Sequence, residues 1–458
     1  MKDILQTTIK SIDADYVDIR IEKTSRVKII VKKNALNEAC PIIEQGGIVR
    51  ALKDGAWGIS TFNSLDFLEK AAKNAEVQAK LLAKYISPEK KFTILPKEAF
   101  DDFITVDLKE DFRNVAQKTK KDLCLSYSDI IMSHSNRIIS SLIKYVDTYT
   151  SYYFASSDGI YIEEQRPDIS IHIMATAKNA ETVQVAYEGD AGKKGFELVK
   201  GLEKDAKKAA INACDLLDAK PIAGNVYNVI LDPILAGTFI HEAFGHLSEA
   251  DQIYANPKLQ EMMKLGKKVG SDILNVLDDG SIGGLRGTHK YDDEGVKTKK
   301  NYLIRNGELV GRLHSRETAS KLSEETTGNA RALDYNYEPI VRMTNTYIDS
   351  CKSTFEDLLK EMNNGIYACD FFGGTTALEM FTFSAGRAYV VENGAVKDLL
   401  RNVVLSGNLF STLHNIKGIA NKLSWEEIGG CGKDGQSGLP TPHASPHIWI
   451  KDIVVGGE

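Results

Sequence analysis

The chain has 458 residues, 43% of them hydrophobic, with 57 basic against 63 acidic side chains for a net charge of −6. That length suits two domains with sizeable cores, and the lack of a long basic run removes the electrostatic case for nucleic acid or an anionic membrane as main partner. Residues 1–23 mix charge with short apolar stretches and do not read as a signal peptide, no window approaches the roughly 18 apolar residues of a membrane span, and six scattered cysteines without a Cys-x-x-Cys pair suit reduced thiols in the cytoplasm.

In chain order, residues 1–12 read as an amphipathic helix, 16–22 and 27–31 alternate as strands, and 46–57 opens another strand region. Residues 64–85 (SLDFLEKAAKNAEVQAKLLAKY) form a strong helix pattern, and 107–123 a second with Asp107 as N-cap. From 129 to 187 the pattern turns β, with 152–155 and 160–163 flanking Ser-Ser-Asp-Gly as a hairpin. A long helix is predicted over 196–219, closed by Lys220-Pro221. The domain boundary is placed near Pro221, giving an N-terminal domain of residues 1–220 and a C-terminal domain of 221–458. Beyond it lie an apolar strand at 226–231 and a helix start at Asp232-Pro233, an N-cap followed by proline at the first helical position. A helix at 352–364 follows, and the rest is mostly short β runs with glycine turns, such as 387–392 before Asn393-Gly394 and 447–455. Strands in runs, without a strict βαβ rhythm, give an α+β fold class.

The helix after Asp232 carries FIHEAFGHLSEAD, residues 239–251. His241 and His246 are five apart, so roughly 140° separates them on a straight α-helix, which could not chelate one ion with both. A π-type turn would stack them, and Gly245 lies between them where backbone distortion costs least. The alternative is a buried helix with two satisfied histidines. Catalytic zinc commonly takes three protein ligands plus water. Glu249, close in sequence, and Cys431, in the glycine-rich GGCGKDGQSG (429–438), are both candidates for the third.

Together these segments resemble the TldD/PmbA family of metallopeptidases, once described as modulators of DNA gyrase. The hallmark is His-Glu-x-x-x-His, here His241-Glu242-Ala243-Phe244-Gly245-His246, with a late cysteine, here Cys431. Residues 46–61 (GGIVRALKDGAWGIST), 291–311 (YDDEGVKTKKNYLIRNGELVG) and 326–348 (TTGNARALDYNYEPIVRMTNTYI) are similar to other family segments, so the likeness spans most of the chain. It implies zinc held by His241, His246 and Cys431, with Glu242 as general base on a zinc-bound water. It also implies cleavage of unfolded or extended peptides, including leader or precursor peptides, which would bind by adding to a sheet edge. The family works as paired related subunits, so a homodimer or a heterodimer with a paralogue is expected. The rival role is a non-catalytic scaffold for a related peptidase or for a DNA-topology enzyme.

Other residues carry weaker signals. His443 and His447 would point the same way in extended chain and line the cleft or support the ligands. Tyr335 and Tyr337 would donate to a tetrahedral intermediate or sit as plain strand aromatics. Arg331 and Arg342 would clamp substrate carboxylates or backbone, or pair with acidic neighbours. The glycine-rich 280–287 lacks the Lys-Ser/Thr of a phosphate loop and reads as a flap. Asp292-Asp293-Glu294-Gly295 reads as a solvated turn or an element packed near the cleft. Trp57 is expected in the N-terminal core, and the other five cysteines as small packing residues.

Overall fold

The structure is a computed structural model that describes residues 1–87 and 91–457. It is α+β, as the strand runs imply. In the first half, strands β1 (Tyr16–Lys32), β2 (Ala35–Lys53), β3 (Ala56–Phe62), β4 (Asp101–Ile104), β5 (Ile138–Ser156), β6 (Tyr161–Lys178) and β7 (Val183–Gly192) form one seven-stranded sheet in the order β3-β2-β1-β5-β6-β4, with β7 also on β6. The two short runs expected at 16–22 and 27–31 are one continuous strand, because β1 pairs with β2 and β5 along nearly its whole length. Helices α1 (Lys2–Lys10) and α2 (Leu68–Leu82) cover one end of this sheet, and α3 (Gln117–Met132) and α4 (Glu203–Asp218) the other.

Two expected helices change their bounds. The helix placed at 107–123 begins ten residues later. Asp111, not Asp107, caps a short 3₁₀ turn at Phe112–Asn114, and α3 runs on to bury Cys124, Tyr127 and Ile131, a 3–4 spaced stripe. The helix placed at 196–219 is interrupted at Gly201, whose φ of +77° ends the 3₁₀ turn Phe196–Val199 before α4 starts.

In the second half, strands Gly365–Ala377, Asn225–Leu231, Ile448–Gly456, Val404–Asn408 and Met380–Glu392 pair in that order, and the last pairs back to the first, closing a ring. Helix α5 (Pro233–Ile240) starts where expected. Asp232 accepts the Leu235 amide at 2.8 Å and Pro233 takes the first turn. α5 packs Phe239 edge-on against Phe381 and Phe383 of the ring. A second sheet, which includes Val276–Asp279, Thr346–Ile348 and His443–Ser445, flanks the same helix.

The halves meet through buried charge. Asp292, Asp293 and Glu294 are 3%, 6% and 2% exposed, not a solvated turn. Asp293 accepts from Arg166 on β6 at 3.0 Å and lies 3.4 Å from Arg20 on β1, while Glu294 accepts from Arg50 on β2 at 3.2 Å. Trp57 is likewise at this junction and not in the N-terminal core. Its indole donates to Glu317 at 2.8 Å and its ring lies 4.7 Å under the Arg50 guanidinium. No cysteine is disulfide-bonded; Cys124, Cys214 and Cys369 are buried, while Cys40 and Cys351 are half-buried. Among the described residues, no helix is long and apolar enough to cross a membrane.

Candidate metal centre

After Ile240 the helix α5 widens. Residues His241–Gly245 form a π-helical turn, and the His246 amide donates to the carbonyl of His241, five residues back. The extra residue between the histidines is therefore absorbed as the spacing requires, and the two rings come to 5.3 Å between centroids. The reason for glycine at 245 is different from the expected one. Its backbone is ordinary right-handed helix (φ −55°), but a Cβ there would fall 2.2 Å from the Met343 sulfur. Gly237, about two turns earlier, plays the matching role for His443, whose Cδ2 would lie 2.8 Å from a Cβ.

Cys431 reaches the histidines on the strand Cys431–Lys433, paired in a hairpin with Gln436–Leu439. Its Sγ is 3.1 Å from Nε2 of His246. Ligand atoms of His241, His246 and Cys431 all lie within 4.8 Å of one another. Glu242 turns its carboxylate to the same point, 4.0 Å from Nε2 of each histidine, which is too far to bond either and near enough to reach a molecule held between them.

Glu249 stands behind His246. Its Oε2 is 3.0 Å from His246 Nδ1 and 3.1 Å from the Lys433 ammonium, and the carboxylate is fully buried. It faces the wrong ring nitrogen to be a third ligand beside Nε2; it orients the ring instead. Lys433, two residues after Cys431 and so on the same strand face, also donates to Asp251 at 2.6 Å and to the Val341 carbonyl at 2.9 Å. Arg342 is fully buried and donates to the Cys431 carbonyl at 2.9 Å. Among the described residues, neither Arg342 nor Arg331 has an acid as ion-pair partner. Arg331 donates to the carbonyls of Met343 and Pro440, at 2.7 and 2.8 Å. Glu249, Asp251, Lys433 and Arg342 thus fasten the cysteine hairpin to the histidine turn. Lys433 and Asp251 escaped the sequence reading; the only signal for Lys433 was its two-residue spacing from Cys431, hidden among glycines.

The two proposed auxiliary histidines part company. His443 lies 5.6 Å from the His241 ring and its Nε2 is 2.9 Å from the Thr238 hydroxyl. His447 stacks on Phe355 at 4.2 Å and meets the Tyr367 hydroxyl at 3.1 Å, away from the ligand set. Tyr335 and Tyr337 sit in a turn between short strands, not within a strand; Tyr337 offers its carbonyl to Arg20 at 2.8 Å.

Electrostatics suits a cation here. Burial, reinforced by the neighbouring His246, His443 and Arg342, holds His241 neutral, far below its usual range, and its Nδ1 is buried without a partner. Burial alone would depress His246 as well, but bonds to Cys431 and Glu249 outweigh it and raise the ring to about 10. An entering metal ion must displace that proton. Burial pushes Glu242 above the usual carboxylate range, with His246 opposing and Glu249 adding, which moves a proton acceptor toward neutrality. Two imidazoles and a thiol are the donors a borderline-soft ion prefers, and tetrahedral zinc separates such ligand atoms by roughly 3.3–3.7 Å. The set fits with small side-chain movements.

Comparison with known proteins decides the family. The PmbA/TldA metallopeptidase C-terminal domain matches residues 224–457, the central domain 110–217 and domain 1 residues 17–79. The chain belongs to the PmbA/TldD metallopeptidase family. It is 40% identical to a metalloprotease of Synechocystis over 97% of this chain and 95% of that one. It is 37% identical to a metalloprotease of Methanocaldococcus jannaschii over 92% and 93%. A Saccharolobus solfataricus relative, 28% identical over 98% of each chain, is named a zinc metalloprotease TldD homologue. The crystal structure of TldE from Thermococcus kodakarensis superposes with a TM-score of 0.80 over 100% of both chains at 18% identity, a likeness of fold. This PmbA/TldD chain is accordingly a metallopeptidase.

Proposed function

We propose that this chain is a zinc peptidase in which His241, His246 and Cys431 hold the metal and Glu242 is the general base. The observation that carries the reading is the convergence of those three ligand atoms with the Glu242 carboxylate poised 4.0 Å from both histidines. The Saccharolobus relative's name supports zinc. Bound there, zinc would supply a Lewis acid and lower the pKa of a water to about 7. Glu242 would take the proton from that attacking water and pass it to the leaving amine nitrogen. Glu249 keeps the His246 ring aimed through Nδ1. The intact set of four favours the catalytic role over the scaffolding one.

The substrate in this reading is an unfolded or extended peptide, with leader or precursor peptides among the candidates. Support comes from the hairpin of Cys431, whose two strands pair with no third among the described residues. That leaves an edge to which an extended chain can add. In the same reading, residues 221–458 carry the catalytic set, residues 1–220 wall the approach to it, and the unpaired cysteines suit the cytoplasm.

Glu242→Gln tests the base. The amide keeps shape and is no ligand, so zinc content and folding are expected to persist. Cleavage of a long unstructured peptide should fall by about 10²- to 10⁴-fold. Near-normal turnover would remove Glu242 from the role.

A further inference from the structure

A cavity of about 560 Å³ separates the N-terminal sheet from the C-terminal half. Its floor is the polar face of that sheet. Alternate residues Val27, Ile143 and Ile171 face the core, so their neighbours Arg26, Lys144 and His172 face the cavity. Its far wall includes Gly430, Gly438 and Leu439 of the Cys431 hairpin.

Most charges around it are already neutralised. Arg286 holds Asp168 at 2.6 Å, and Arg166 holds Glu164 and Asp293 at 2.6 and 3.0 Å. Asp292 is spent on the amides of Glu294 and Val296, at 3.0 and 2.9 Å. Arg26, Lys144, Lys193 and Arg331 have no ion-pair partner among the described residues, and of these Lys193 and Arg331 converge on one side chain. Lys193 donates to the Thr288 carbonyl and Arg331 to two carbonyls. Between them stands His289, with Nδ1 3.4 Å from the Lys193 ammonium and Nε2 3.5 Å from Arg331 Nη2. A neutral imidazole has one acceptor nitrogen and one N–H. It can therefore satisfy one of these two cations and must turn its own proton toward the other.

We propose that Lys193 and Arg331, with His289 between them, bind a carboxylate of the peptide substrate in this cavity. The inference rests on the peptidase reading for the ligand being a peptide. The guanidinium fork matches a planar carboxylate, and the ammonium adds a point charge beside it. The carboxylate would also accept the N–H of His289, which is left without an acceptor. Burial outweighs the carboxylates around both cations. Burial, reinforced by Arg166 and Arg331 and opposed by Glu164 and Asp168, brings Lys193 down to about 8, and burial with Arg342 alongside outweighs Asp293 and Asp278 and lowers Arg331. Three segments supply the site: the residue after β7, the loop before Tyr291 and the strand Ala330–Arg331. Because the hairpin of Cys431 is one wall, the cavity adjoins the metal centre.

The test uses zinc-loaded full-length protein with Glu242→Gln, so that binding is read without turnover. One unstructured peptide with a neutral fluorescent label and no acidic residue is made as the free acid, as the C-terminal amide, and as the amide with one internal Glu. A carboxylate form is expected to bind about tenfold or more tightly than the plain amide by anisotropy. Preference for the free acid identifies the terminal carboxylate as the ligand, and preference for the Glu peptide identifies a side chain. Lys193→Gln should bring the ratio close to one, while Lys193→Arg, which keeps the charge, should retain it. Arg331→Lys serves as a second, charge-keeping variant that should shrink the ratio by losing the fork. Equal binding of all three peptides, or a preference that survives Lys193→Gln, overturns the subsite. Cleavage of the plain amide by wild type is measured in parallel. Turnover without carboxylate preference would sink the subsite and leave the peptidase. Carboxylate-selective binding without any turnover would do the reverse.

Discussion

At the scale of single residues, the centre depends on groups that never meet the metal. Glu249 is fully buried and contacts the back of His246 and the Lys433 ammonium. Burial opposes its charge, but Lys433 and His246 outweigh that and hold the carboxyl below its usual range. Outer partners of this kind typically contribute 10- to 100-fold in metal affinity. Glu249→Gln should therefore keep the fold and weaken zinc binding by about that factor, as measured by competition with a chromogenic chelator. Unchanged affinity would show that the ring needs no orienting partner. The turn that brings the candidate ligands together was legible, since His241 and His246, five apart, can share one ion only across a π-type turn, and the structure has one. Their supports were not. Lys433 and Arg342 act through contacts 182 and 89 residues away in sequence, to Asp251 and to the Cys431 carbonyl. No local pattern encodes such distances.

At the scale of elements, caps and alternation were readable and interruptions were not. Asp232 announces α5 because an aspartate before proline satisfies a free amide and presets φ. Gly201, inside an Ala- and Lys-rich run, gave no warning that it takes a left-handed conformation and divides the helix expected at 196–219. The segment before the last strand, Ile448–Gly456, also carries a pH dependence. Burial, opposed by Glu356 and aided by Lys422, lowers His447 from 6.5 to about 4. Above pH 6.5 the ring is neutral in folded and unfolded chains alike. Below it, the unfolded chain takes up a proton that the folded one refuses until about pH 4. This contribution to stability is thus present above 6.5 and lost as pH falls toward 4. His447→Gln should lose less stability than wild type between pH 6.5 and 4 in denaturant titrations. Parallel losses would assign the acid sensitivity elsewhere, His172 being another ring lowered to about 4 by burial.

At the scale of the whole molecule, the sheet-rich α+β class followed from strand runs, but the ring closed by five strands of the second half rests on pairings between distant segments. So does the buried charge layer of Asp293 and Glu294 with Arg20, Arg50 and Arg166. In sequence it read as a solvated turn or an element packed near the cleft, with nothing local to name its arginine partners. The long hairpin of Gly365–Ala377 and Met380–Glu392 exposes Phe372 at its bulge and Leu378 and Met380 at its tip. An apolar tip of this kind suits burial against another subunit. Light scattering of the purified chain should give twice the 50.6 kDa chain mass, and Phe372→Asp should shift it toward the single chain. A single-chain mass for wild type at micromolar concentration would leave pairing with a paralogue as the surviving expectation. The central claim, however, is the composition of the metal centre. X-ray absorption at the zinc edge of metal-loaded protein measures it directly. One sulfur at about 2.3 Å with nitrogens at about 2.0–2.1 Å is expected, with loss of the sulfur shell in Cys431→Ala. A wild-type zinc shell of nitrogen and oxygen alone would contradict it.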